Sequence, residues 1–356
     1  MHKLALIVLI LTPSLFVAAQ SGRGAGYSES STEIVSSPTI AAPRPTSNAS
    51  DGDDAIKVQT DLVVVPIRVS SQNNRPTTDL KKSEFRVFEN GEQQEIAYFS
   101  SADQPFTVAL LLDVSYSTVF RLADIQAAAM LFIAQLRPED RVMVVTFDEE
   151  PQILCTPTND RRVLKLAIEA ARIGSGTSLY DAVGLAASER LRAIPGRKAV
   201  VVLSDGVDTS SKHRTAADIL GEFGDDELVV YALRYDTFDD VRKSRRDNAE
   251  IRYDDNDRPY VYAPSPKKGE REQDYTAAVA FLDKITERSG GGVFKVSSTN
   301  LTSAFNQIAE ELRKTYGLGY YPTSERRPGA VYSLKIRIHR PDLLIRTRGR
   351  IARKNK

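Results

Sequence analysis

The chain has 356 residues, 41% of them hydrophobic and 27% charged, with a formal net charge of +1; these are the proportions of an ordinary globular protein with room for one large domain and a smaller one. A lone cysteine, Cys155, excludes an intrachain disulfide framework. Only His2, His213 and His339 carry imidazoles, and their wide spacing removes most zinc sites and most serine or cysteine triads.

The first residues have the three-part layout of a secretory signal: His2 and Lys3, an apolar run over 4–11, then Val17-Ala18-Ala19 before Gln20. Cleavage is expected after Ala19, giving an exported protein, periplasmic or extracellular, with no stable membrane insertion. The run is short for a spanning helix, is broken by Thr12-Pro13 and has no second apolar segment behind it. Residues 20–55 are rich in Ser, Thr, Pro, Ala and Gly and read as a flexible linker.

Strand patterns begin at 56–103, with runs at 62–69, 85–88 and 96–99, and Asn90-Gly91 marks a tight hairpin. Pro66 points to an edge strand or a bulge. So short a segment lacks a core of its own, and partner strands are expected at 316–350, where 333–338 alternates polar and apolar residues. The two flanks then form one small β-sandwich.

Between them, over 104–315, strands and helices alternate. Strands fall at 106–113, 141–147, 198–203, 228–233 and 293–296, with a shorter one over 151–155 in which Cys155 is expected to be buried. Helices fall at 120–136, 161–172, 179–191, 215–223, 275–289 and 301–315. This is the α/β signature: a doubly wound, mostly parallel sheet with helices on both faces, Rossmann-like in its layering. Residues 236–273 interrupt it, dense in charge and proline, and read as a long insertion loop, either a solvated excursion or a lid. A basic tail closes the chain at 351–356; together with Arg346, Arg348 and Arg350 it reads as a solvated surface or a contact for an anionic cell-surface polymer rather than a nucleic-acid site.

The chemistry concentrates where the first of the central strands ends. Asp113, Ser115 and Ser117 place three oxygen side chains at alternate positions on one turn, where they can converge on a hard divalent cation. The stretches 174–178, with Thr177, and 201–206, with Asp205, are candidates to complete a shell. Asp208 and 148–150 read as solvated loop carboxylates, and Tyr116 as either a ligand contact or a packing residue.

With these three elements in order, the sequence resembles the von Willebrand factor A domain (VWA) and its metal-ion-dependent adhesion site (MIDAS). Asp113-Val114-Ser115-Tyr116-Ser117 matches that family's Asp-x-Ser-x-Ser, Gly176-Thr177 its glycine-threonine loop, and Asp205-Gly206 its third element. The resemblance covers about 104–315. The flanks are similar to those of the secreted VWFA-related domain proteins described for Acidobacteria, through 85–91 and Gly319-Tyr320-Tyr321-Pro322.

The resemblance implies that Ser115, Ser117 and Thr177 meet the metal through neutral hydroxyls, with Asp113 and Asp205 acting directly or through water. Two carboxylates just balance a divalent cation, which keeps an affinity for one more anionic oxygen. Magnesium fits first, manganese next and calcium less well. The expected function is an adhesion module, a protein–protein interaction in which a partner offers an acidic residue. A structural envelope component with a merely stabilising metal is the alternative, and a metal-dependent hydrolase a remoter one. Ser115 stands where a haloacid-dehalogenase-type phosphatase needs its second acid, and no phosphate-binding loop, zinc helix or nucleophile elbow appears, so no catalytic residue is expected.

Overall fold

The computed structural model describes residues 62–71, 79–115, 122–223, 227–262, 264–327 and 329–352. The expected signal, the linker, Tyr116, Ser117 and residues 353–356 lie outside them.

The central sheet has six strands: β5 (Phe106–Asp113), β6 (Arg141–Phe147), β7 (Pro151–Thr158), β8 (Arg197–Ser204), β9 (Leu228–Arg234) and β12 (Gly292–Lys295), in the spatial order β12-β9-β8-β5-β6-β7. All neighbours run parallel except β7, which lies antiparallel at the edge beside β6. Cys155 on this edge strand is partly exposed rather than buried, because β7 has a neighbour on one side only.

The apolar run of β5 is buried along its whole length because both faces are covered. Val108, Leu110 and Leu112 pack on one side with α1 (Leu122–Gln135), α2 (Arg161–Ala170) and α7 (Leu301–Arg313). Ala109 and Leu111 pack on the other with α3 (Leu179–Gly184), α4 (Ala216–Glu222) and α6 (Glu272–Ser289). Helical spacing supplies each stripe: Leu301, Ala304, Phe305, Ile308, Ala309 and Leu312 are the buried residues of α7, and Phe305 meets Phe132 of α1 with ring centroids 5.1 Å apart. After α3 the helix widens to π-type turns over Leu185–Leu191, where a single regular helix is expected from the sequence.

The flanks build two four-stranded sheets. One has the order β15 (Leu343–Arg346), β1 (Val63–Ser71), β13 (Thr315–Tyr320), β4 (Ile96–Ser100); the other β16 (Arg350–Ala352), β14 (Val331–Ile338), β2 (Phe85–Glu89), β3 (Glu92–Gln94). Their inner faces share one core that includes Val65, Ile67, Phe85, Val87, Tyr316, Leu318, Leu334 and Ile336. Asn90 and Gly91, with φ of 50° and 88°, make the β2–β3 turn. The central unit leaves the sandwich after β4 and returns at β13, and these strands are hydrogen-bonded neighbours, Ser100 opposite Gly317.

Four expectations are corrected here. Pro66 sits in an interior strand, but β15 covers only Arg68–Ser71, so the missing N–H faces no ladder partner on that side and the Pro66 carbonyl accepts the Thr347 hydroxyl at 3.1 Å. The basic end is not simply solvated: Arg348 is 4% exposed and donates to the carbonyls of Val64 and Arg288, while Ile351, buried in β16, extends the second sheet past residue 350. Residues 236–273 are not a structureless loop. They hold α5 (Phe238–Asp247) and an antiparallel hairpin of β10 (Glu250–Tyr253) and β11 (Pro259–Tyr262), in which every residue is exposed. Asp208 is not solvated; its side chain is 3% exposed and accepts from Tyr180 N and from Ser211.

Candidate metal centre

The chain leaves β5 toward β6 on one side and later fills β8, β9 and β12 on the other, so the carboxyl ends of β5 and β8 flank the crevice where strand order reverses. Asp113 is the last residue of β5, and Asp205 immediately follows β8. Both are withdrawn from solvent, at 0% and 6% exposure.

Each carboxylate is held by neutral donors. Asp113 Oδ1 accepts the Ser115 backbone N–H at 3.0 Å, and its Oδ2 accepts the Ser204 hydroxyl at 2.6 Å. Asp205 Oδ1 accepts Val207 N–H at 2.9 Å, and its Oδ2 accepts the Thr237 hydroxyl. Thr237 in turn lies 2.9 Å from the Tyr275 hydroxyl. The Ser115 and Tyr235 side chains also act on the Asp113 carboxyl, opposing its rise.

Two loops converge with these strand ends. Gly174 N–H donates to Val114 O at 2.8 Å, tying the 171–178 loop to the exit of β5. Thr177 donates its N–H to Thr209 Oγ1 at 2.8 Å and accepts Thr209 and Ser210 N–H on its carbonyl, tying that loop to the exit of β8. Gly176 permits this stitch: its φ is +75°, and a Cβ there would lie 2.2 Å from Ser210 Oγ. Ser115 and Thr177 are 4% and 7% exposed. Four of the five residues singled out in the sequence therefore gather on three adjoining loops, while Ser117 falls outside the described residues.

Burial pushes the Asp113 carboxyl up from its ordinary range, its hydrogen bonds opposing this. Asp205 is raised first by burial and then by the charge of Asp113. Among the described residues neither carboxylate has a basic partner, and no group of three His, Cys, Asp or Glu side chains is placed to hold a metal ion. Two buried carboxylates that act on each other through their charge, held by hydroxyl and amide donors and with the acidic Asp236 acting on Asp205, lack a positive charge among the described residues. The donor set, all oxygen and half neutral, fits a hard divalent cation.

Of Ser204, Tyr235, Thr237 and Tyr275, the sequence singles out only Ser204, and that within the candidate stretch 201–206. The rule that ligands bind beyond the carboxyl ends of parallel strands points to the first three, which end or follow β8 and β9.

Residues 108–207 match the sequence profile of the von Willebrand factor type A domain. No curated protein matches the chain. Solved structures similar to it include an aerotolerance-related membrane protein from Bacteroides fragilis, 19% identical, covering 59% of this chain and 99% of that one with a TM-score of 0.39. A von Willebrand factor type A protein from Catenulispora acidiphila is 10% identical, with 84% and 76% covered and a TM-score of 0.43. Proximal thread matrix protein 1 from the mussel byssus, with a zinc-occupied MIDAS motif, is 13% identical, with 62% and 48% covered and a TM-score of 0.41. The stretch that supplies Asp113, Ser115, Thr177 and Asp205 is a von Willebrand factor type A domain.

Proposed function

We propose that the protein is an exported, cation-dependent protein-binding module. Asp113, Ser115, Thr177 and Asp205, with Ser117 completing the set by sequence, would hold one divalent cation, magnesium or manganese. The observation that carries this reading is the buried pair Asp113 and Asp205, which has no basic partner among the described residues. When bound, the cation supplies a Lewis-acidic position for one further anionic oxygen, and an acidic side chain of a partner protein suits that position. The chain's own residues set the charge balance: two carboxylates and three hydroxyls leave the site without surplus negative charge to repel such a group.

The depth of the site favours a second reading, a cation that only stabilises the fold, since all four described residues are at most 7% exposed. Capture of partners from an envelope extract, with and without chelator, separates the two. A protein retained with magnesium and released by chelator supports the binding module. Retention indifferent to chelator supports the stabilising metal.

A further inference from the structure

The insertion over 236–273 is fastened at both roots to the loops that gather the candidate ligands. At the near root, Thr237 is fully buried and gives its hydroxyl to Asp205 Oδ2. At the far root, Lys268 Nζ donates to Thr209 O at 3.0 Å and lies 3.6 Å from Asp208 Oδ1. Thr209 is the residue whose hydroxyl takes Thr177 N–H. Beyond that root Tyr275, in the first turns of α6, reaches back to Thr237 at 2.9 Å, and its ring packs on Phe238 with centroids 5.0 Å apart.

With Asp205 ionised, as a bound cation requires, the proton count sets the direction of this chain. The single hydroxyl proton of Thr237 is spent on the carboxylate, so the contact with Tyr275 requires the phenol to donate. The resulting relay runs from Tyr275 Oη to Thr237 Oγ1 to Asp205 Oδ2 and fixes the rotamer of a carboxylate whose other oxygen accepts Val207 N–H. Each acceptor oxygen keeps a second lone-pair direction for a cation or its water.

We infer that Thr237, at the near root of the insertion, and Tyr275, in the first turn of α6 just beyond its far root, are positioning residues that aim Asp205 at the bound cation. This rests on the cation site proposed above. Groups that orient a ligand carboxylate commonly govern metal affinity by roughly 10–100-fold. Thr237→Val keeps the shape and removes the donor, so magnesium affinity should fall within that range, and Thr237→Ser should restore it. Tyr275→Phe should weaken binding less, because Thr237 still reaches Asp205 without it.

The discriminating measurement is magnesium calorimetry on the full chain for the wild type, both single variants, Thr237→Ser and the double variant, with circular dichroism confirming that each is folded. In a relay Tyr275 acts only through Thr237, so the double variant should bind no more weakly than Thr237→Val alone. Additive losses would make Tyr275 an independent packing residue and overturn the relay. Wild-type affinity in Thr237→Val would do the same while leaving the cation site intact. A wild type that takes up no magnesium overturns both readings together.

Discussion

The Ser204 hydroxyl donates to Asp113 Oδ2 at 2.6 Å, joining the last residue of one parallel strand to the last residue of its neighbour. Ser204 Oγ also accepts Gly206 N–H at 3.0 Å, so one small side chain aligns both walls of the crevice. Ser204→Ala leaves a buried carboxylate oxygen and a buried amide each short of a partner, at a cost of about 1–3 kcal/mol. Urea unfolding without metal should show that loss. Unchanged stability would mean that another donor takes over.

The two carboxylates predict how pH acts. Burial raises both above the ordinary value of 3.8, so in metal-free protein they retain protons that the unfolded chain has already released. Above about pH 4 the folded state is therefore the more protonated one, and the pair's contribution to stability declines as pH rises toward the native values. A cation offsets the charge that appears. The rise in melting temperature on adding magnesium should be small near about pH 5 and grow toward about pH 8, because protons and the cation compete for the same oxygens. A shift of equal size across that range would contradict this coupling.

The flanks should not fold separately. β13 stands between β1 and β4, so the N-terminal flank without residues 315–320 has no continuous first sheet. A fragment spanning 62–103 should be unstructured by circular dichroism and give a collapsed amide NMR spectrum. Dispersed resonances from it would show that the sandwich is not shared.

The joint between sandwich and central sheet depends on Arg197, which is 5% exposed. It donates to the carbonyls of Ala102 at 3.0 Å and Gln104 at 2.6 Å, and to that of Leu312, gathering the chain entering the central unit and the helix leaving it. Beside it Glu227 accepts the Ser100 and Tyr98 hydroxyls of β4 at 3.1 and 3.3 Å. Arg197→Met retains the stem but strands three acceptors and removes a charge that stabilises Glu227, which should cost about 3–5 kcal/mol in denaturant unfolding. A loss below about 1 kcal/mol would place the joint elsewhere.

Much of the fold is legible in the residues because burial imposes it directly. Asp113 closing an apolar strand, and the stripe of α7, leave few alternatives. What the sequence conceals is structure that carries no apolar signature. α5 buries no residue, so its ten residues show charge without a stripe and read as loop. Arg348 resembles its solvated neighbours, and only the carbonyls of Val64 and Arg288, distant in sequence, explain its burial. In the candidate site the acidic and hydroxyl pattern singles out Asp113, Ser115, Ser117, Thr177 and Asp205 as candidates. Thr237 escapes notice, and the role of Ser204 within 201–206 stays hidden, because a hydroxyl that serves a carboxylate cannot be told from one that caps a helix until the strands are aligned.

We propose that Asp113 and Asp205 are held for a cation. Calorimetric titration of magnesium into the wild type, Asp113→Asn and Asp205→Asn measures it most directly. Substitution by the amide keeps the shape of each side chain and removes one of the two charges that balance the ion, so both variants should bind far more weakly than the wild type. Equal affinities in all three chains, or no heat in the wild type, would contradict the account.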